Sequence, residues 1–349
     1  MFSVVAPCDP GAALRGLCQL SRFQGTRAVV TPPRYLAVLG PTGTGKSALA
    51  LAAARRFGGE IVSCDSTAVY RGFDIGTDKV PVTERRGIPH HLIDLVEPTE
   101  EYTAARFARD ASRAIRDIHA RGRLPIVVGG TGLYYRALTR GLFPGPAADQ
   151  VLRARLERVA ARRGDGWLHR VLRRVDVASA ERIQPADRKR MIRAIEVYAL
   201  TGRPLTAHFA DTVSPLPEFD AIAVALRLSP AALEPRLRDR VDAQLREGLE
   251  AEVRRLLAGG LPPAARPFGG LVYRQMLEFV RGVRGLEETR ALIVQENRRY
   301  ARRQLIWFRK EPTLEWFDGP GESAQVHARV FAFLGTRGLH DDGRDVGDG

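Results

Sequence analysis

The stretch Tyr35-Leu-Ala-Val-Leu-Gly-Pro-Thr-Gly-Thr-Gly-Lys-Ser47 decides how the chain folds. From Gly40 to Ser47 it fits G-x-x-x-x-G-K-[ST], a phosphate-binding loop. An apolar run, Leu36 to Leu39, leads into it as a strand, and Ala48 to Phe57 leads out as a helix. Gly43 and Gly45 let the backbone bend until several N–H groups face one anion. The helix N-terminus adds a favourable dipole and Lys46 a compact positive charge. Ser47 is placed to hold a magnesium ion. The whole run Gly40, Pro41, Thr42, Gly43, Thr44, Gly45, Lys46 and Ser47 is therefore expected to bind a di- or triphosphate. Nucleotides are the commonest occupants of this pattern, but the loop alone does not identify the phosphate compound.

The 349 residues are 44% hydrophobic and 27% charged, ordinary proportions for a globular protein. No apolar run approaches a membrane span, so no membrane partner is expected. Cys8, Cys18 and Cys64 have no zinc spacing and cannot all pair, which suits a reduced, intracellular setting. A formal net charge of +14 points to a polyanionic partner, with nucleic acid the leading class. Lysine occurs only at Lys46, Lys79, Lys189 and Lys310, so arginine carries most of the basic charge. Lysine at position 46 fits the loop reading, because a forked guanidinium does not suit that cradle.

Buried strands alternate with helices along most of the chain. Glu60 to Asp65 reads as a second strand, Ala104 to Arg121 as an amphipathic helix, Leu124 to Thr131 as a buried strand with a tight turn, and Ala221 to Leu228 as another. Continuous apolar strands between helices imply an α/β fold: a P-loop-type, doubly wound parallel sheet. Residues 34–149 and 206–335 are assigned to that core with its C-terminal helices, and 150–205 to a basic helical insertion suited to gripping a nucleic-acid phosphate backbone. Residues 1–33 read as a disordered extension, with an incorrect start or a transit peptide as other readings. Residues 336–349 read as a disordered tail, and the chain is expected to act as a monomer. In such sheets ligands gather at the carboxyl ends of strands, where Gly40–Ser47, Asp65 and Thr131 can converge.

An ATPase or GTPase places a carboxylate at the end of a second buried strand to organise Mg²⁺ and water. Here Leu124–Val128 ends in Gly129-Gly130-Thr131, with no acid. A motor or switch is therefore disfavoured, and a transferase that uses the loop to hold a substrate diphosphate or triphosphate remains.

Several blocks now follow in order: the loop, Asp65 to Lys79, Pro89 to Asp94, Val128 to Tyr135, Arg190 to Tyr198, Tyr273 to Gln275 and Arg303 to Trp307. Together, over about residues 34–318, they resemble the tRNA dimethylallyltransferases. The resemblance implies transfer of a dimethylallyl group from dimethylallyl diphosphate to N6 of the anticodon-adjacent adenosine in tRNAs reading codons that begin with U. It implies that the loop holds the leaving diphosphate with Mg²⁺, rather than ATP. By motif match Asp65 takes the general-base role, Thr131 contacts adenosine or diphosphate, and Arg240 faces the diphosphate. Contacts with the tRNA anticodon stem-loop are implied for Asp65, Ser66, Thr67, Ala68, Thr131, Arg153, Lys189, Arg190, Met191, Ile192, Arg193, Leu271, Tyr273 and Arg274. Arg298, Arg299, Arg302 and Arg303 form a basic stripe suited to phosphates. The target base has to leave the stack to reach the cleft.

Each residue also has a plainer reading. Asp65 is alternatively a turn cap, Thr131 a helix cap, Arg240 a solvated helix arginine, and the basic insertion a solvated helical scaffold. His90 and His91 read as structural. Val272 stands where the resembled family usually has glycine, so the backbone there cannot relax as glycine would. Nothing after Phe317 could form the zinc finger that eukaryotic relatives often append, so the resemblance implies a bacterial-type, cytoplasmic enzyme. The competing activities are isopentenyl transfer to free AMP or ATP, a small-molecule kinase, and RNA binding without catalysis.

Overall fold

The computed structural model describes residues 32–164 and 166–340. The extension read from residues 1–33 therefore lies almost wholly outside the described residues, as do residues 341–349 of the expected tail.

The chain runs β1 (Arg34–Leu39), α1 (Lys46–Arg56), β2 (Gly59–Ser63), β3 (His90–His91), α2 (Ala104–Ala120), β4 (Leu124–Gly129) and α3 (Gly132–Thr139). Four helices follow: α4 (Gln150–Arg163), α5 (Gly166–Val175), α6 (Val177–Arg182) and α7 (Arg188–Thr201). The chain then continues through β5 (Asp220–Arg227), α8 (Pro230–Arg246), α9 (Leu249–Ala258), α10 (Tyr273–Val280), α11 (Leu286–Phe308), β6 (Leu314–Asp318) and α12 (Ala324–Thr336). The strands form one six-stranded sheet in the order β3-β2-β4-β1-β5-β6. All its pairings are parallel.

Strand periodicity explains why both faces are covered. In β1, Tyr35, Ala37 and Leu39 join a cluster that includes Phe107 of α2, Tyr134 of α3 and Ile293 of α11. Leu36 and Val38 face the other way, among Leu49 and Ala53 of α1 and Val330 of α12. The sheet is thus doubly wound, as the sequence led us to expect. Two strands escaped the sequence reading. The edge strand β3 is two residues long, and β6 buries Leu314 and Phe317 but exposes Glu315 and Asp318.

The insertion has a core of its own, built from Leu156, Leu168, Leu172, Met191, Ile195 and Leu205. Side chains cap its helices: Asp149 accepts from Leu152 N–H, Asp176 from Ser179 N–H and Asp187 from Arg190 N–H. Gly202, at φ 70°, closes α7.

One boundary needs correction. Residues 336–340 are not a loose tail but the end of the α12 cap. Gly338 N–H donates to Gly335 O and Leu339 N–H to Leu334 O. Leu339 packs against the cluster beneath α1 and α12, and an arginine at the start of β1, Arg34, donates to Arg337 O. That apolar contact and backbone closure outweigh the glycine-rich composition.

Candidate active site

The site forms where three parallel strands end side by side. β1 delivers the loop, β2 delivers Asp65, and β4 delivers Thr131. Glycine permits the close approach: a Cβ on Gly129 would lie 2.1 Å from Cys64 O.

Gly43 and Gly45 adopt φ 78° and 81°, the left-handed conformation the loop demands. Gly45 caps α1 without any side-chain hydrogen bond, so the helix leaves its first N–H groups to an anion. Lys46 Nζ donates to Pro41 O at 2.6 Å. Burial first, then the neighbouring Arg240 charge, push its pKa down to about 8; Asp65 and Asp78 pull the other way. An arriving diphosphate would restore the full ammonium charge. Thr44 turns its hydroxyl inward to Pro41 O at 2.8 Å, leaving its backbone for the loop geometry.

Two arginines of α8 reach the loop. Arg240 donates to Thr42 Oγ1 at 2.6 Å and pairs with Asp78 at 2.6 Å. Arg240 is therefore not a solvated helix arginine. Arg236, one turn earlier, donates to Gly43 O at 2.7 Å and to Glu322 at 2.7 Å. It escaped the sequence reading, although its i, i+4 spacing to Arg240 carries the signal.

Asp65 realises the turn-cap reading with one oxygen. Its Oδ1 accepts from Thr67 N–H at 2.8 Å, Thr67 Oγ1 at 2.6 Å and Ala68 N–H at 3.2 Å. The cap fixes the carboxylate, and Oδ2 has no partner among the described residues. A carboxylate held by one oxygen with the other free is suited to receive a proton. Thr131 sits at the N-cap of α3 but makes no side-chain cap bond. Its hydroxyl instead accepts from Ser66 N–H at 3.1 Å, tying the β4 turn to the Asp65 turn. Tyr300 of α11 lies near Thr131, and burial, followed by the Asp65 charge, pushes its pKa up to about 12. It escaped the sequence reading because a helix-borne tyrosine carries no motif.

The remaining positions divide sharply. Thr67 lies against the Gly270 backbone, 3.6 Å from where a Cβ would sit, so the Asp65–Ala68 turn adjoins the segment leading to Arg274. Arg274 is exposed, whereas Tyr273 is 1% exposed and bridges Gly76 N–H at 2.9 Å and Glu252 at 2.5 Å. Val272 takes φ 73°, the conformation a glycine would adopt freely. In the insertion Lys189 and Arg190 are exposed, while Met191 and Ile192 belong to its core. Arg153 and Arg193 both bind the buried Glu196, at 2.8 and 2.6 Å. His91 pairs with Glu60 at 2.7 Å, and His90 bonds Ile88 O at 2.9 Å.

Residues 68–311 match the family model described as IPP transferase. The chain belongs to that family. Among curated relatives, a tRNA dimethylallyltransferase of Solibacter usitatus is 48% identical over 304 residues, covering 86% of this chain and 99% of its own length. One of Thermomicrobium roseum is 47% identical over 298 residues, covering 84% and 90%. Among solved IPP transferase structures, the full-length tRNA isopentenylpyrophosphate transferase of Bacillus halodurans superposes with a TM-score of 0.65 at 35% identity, covering 87% of this chain and 96% of that one. A eukaryotic dimethylallyltransferase acting on tRNA superposes with a TM-score of 0.74 at 28% identity, covering 90% and 81%.

Proposed function

We propose that this protein is a tRNA dimethylallyltransferase that moves the dimethylallyl group of dimethylallyl diphosphate onto N6 of the anticodon-adjacent adenosine. The observation that carries the reading is the pairing of an uncapped phosphate loop with the half-free Asp65 carboxylate on adjoining strand ends. One holds a leaving group; the other receives a proton.

The loop N–H groups, Lys46 and Arg240 bind the diphosphate and stabilise the charge that grows on it as the C1–O bond breaks. N6 donates its electron pair to C1, and the N6–C1 bond forms. Asp65 holds the amine in line and accepts its proton, so adenosine gains the prenyl group and diphosphate departs. Thr131 orients the base from the β4 turn. Exposed Ser47 at the first turn of α1 suits a magnesium ion held mostly by phosphate oxygens, since no cluster of three or more His, Cys, Asp or Glu side chains could hold a metal among the described residues. When bound, the ion would neutralise leaving-group charge. Exposed Lys189, Arg190, Arg274 and the Arg298–Arg303 stripe offer positive charge to the tRNA backbone, in the cytoplasm where tRNA is modified.

The test is incubation with labelled dimethylallyl diphosphate, Mg²⁺ and either unmodified tRNA or AMP. Label on tRNA alone is the expected result. Label on AMP alone, or on neither, overturns the reading.

A further inference from the structure

Gln304 of α11 joins the two halves of the site. Its side-chain Oε1 accepts the Thr42 N–H at 2.9 Å, and its Nε2 donates to Gly130 O at 2.9 Å. The residue is 7% exposed. The amide orientation is fixed by its partners, since a backbone N–H can only donate and a carbonyl can only accept. Gly130 makes room for that amide: a Cβ would come within 2.2 Å of Gln304 Nε2 and displace it. One side chain thus holds the phosphate loop at Thr42, whose hydroxyl receives Arg240, and the β4 turn immediately before Thr131. Thr131 in turn receives Ser66 N–H beside Asp65.

We infer that Gln304 is a positioning residue that sets the separation between the diphosphate-holding loop and the adenosine-holding turn. The inference rests on the transferase reading above. Loop and turn belong to strands that end side by side, and each can bind its own ligand without the other. What the reaction adds is a demand on distance: C1, fixed by the loop, has to meet N6, fixed by Asp65 and Thr131. A misplacement of about 1 Å costs on the order of 10²-fold in rate while leaving each binding contact intact. The glutamine amide supplies a neutral donor and acceptor on one terminal group. Glutamate keeps the acceptor for Thr42 but cannot donate to Gly130 O.

The experiment compares wild type, Gln304→Leu, Gln304→Glu, Thr131→Ala and the Gln304→Leu/Thr131→Ala double variant. Single-turnover transfer to tRNA is measured together with affinities for inorganic diphosphate and for tRNA. Transfer by wild type is established first; its absence overturns the transferase reading itself. The inference expects both Gln304 variants to lose about 10²-fold in kcat, with both affinities within about threefold of wild type. It also expects the double variant to be no more than about threefold slower than Thr131→Ala, because the two residues act as one unit. Should Gln304→Leu fail to fold, the isosteric Gln304→Glu and its double with Thr131→Ala carry the comparison. Unchanged kcat, a loss confined to KM, or additive losses in the double variant overturn the inference while leaving the transferase reading standing.

Discussion

Val272 offers a test in which an ordinary mutational ranking should flatten or invert. It is a β-branched residue held at φ 73° and ψ −59°, and only 2% exposed. An L-residue in that region stores about 1–3 kcal/mol of strain. Val272→Ala removes two methyl groups from the core, about 1.5 kcal/mol at roughly 0.8 kcal/mol each, and keeps the strain because alanine keeps its Cβ. Val272→Gly loses a further carbon, about 0.8 kcal/mol, and adds about 0.5–1 kcal/mol of glycine backbone entropy. At an ordinary position glycine would therefore trail alanine by about 1.5 kcal/mol. Here relief of about 1–3 kcal/mol of strain offsets that deficit, so glycine should match alanine or exceed it by up to about 1.5 kcal/mol. Urea unfolding of the two variants, followed by circular dichroism at equal denaturant slope, reads the difference directly. Glycine trailing alanine by more than about 1 kcal/mol would refute the reasoning, since it would mean that residue 272 has ordinary backbone geometry.

Three further outcomes follow from the site and the insertion. Asp65→Asn should keep the turn cap and tRNA affinity yet lose transfer by at least about 10²-fold, since an amide cannot accept the N6 proton; unchanged single-turnover kinetics would remove the base role. Burial alone would raise the Glu196 pKa, but hydrogen bonds from Arg153 and Arg193 hold it below the ordinary carboxylate value. Its contribution to the insertion is thus full above its unfolded pKa and lost as pH falls through the folded one. Trp167 fluorescence in a Trp307→Phe/Trp316→Phe background should report acid loosening of the insertion below about pH 4.5, and Glu196→Gln should remove that component. Lys189→Ala/Arg190→Ala should lower the salt slope of tRNA binding by about 2, and an unchanged slope would exclude both from the phosphate contacts.

The sheet was legible because burial on both faces leaves uninterrupted apolar runs such as Leu36–Leu39 and Ile126–Val128. Two strands left no such mark: β3 is too short for a pattern, and β6 sets exposed Glu315 and half-buried Trp316 between its buried residues. At the site, residues fixed by a local motif were readable, including Lys46, Asp65 and Thr131. Arg240 was readable by resemblance, and the structure supplies the physical cause in its bond to Thr42. Arg236, Tyr300 and Gln304 were not read as site residues. They arrive from helices far along the chain, and only tertiary packing brings them to the loop. The glycine departure at Val272 was visible in sequence, but its consequence was not. The fold keeps the positive φ and imposes it on valine, instead of relaxing the turn.

The charge argument changes most when side chains are placed. A formal charge of +14 pointed to a polyanionic partner, and the basic excess of residues 150–205 to an insertion that grips its phosphates. Yet Arg153 and Arg193 are consumed by buried Glu196, and Arg136 and Arg140 by buried Glu311. Arg121 likewise pairs with Glu60. Each of these carboxylates is nearly inaccessible, and such a charge is costly unless cations satisfy it. These arginines brace the fold first; two of them share one carboxylate at Glu196 and again at Glu311, so part of their charge is already offset in the free protein. The set we propose for phosphate contact therefore narrows to exposed cations whose partners, where present, reach solvent: Lys189, Arg190, Arg274 and the α11 stripe. Exposed pairs such as Arg190–Asp187, 2.9 Å apart, exchange cheaply for a phosphate. Buried ones such as Arg153–Glu196 do not, because releasing the arginine strands a carboxylate in the core. The same sequence composition thus contains two populations of arginine, and carboxylate burial, not arginine count, separates them.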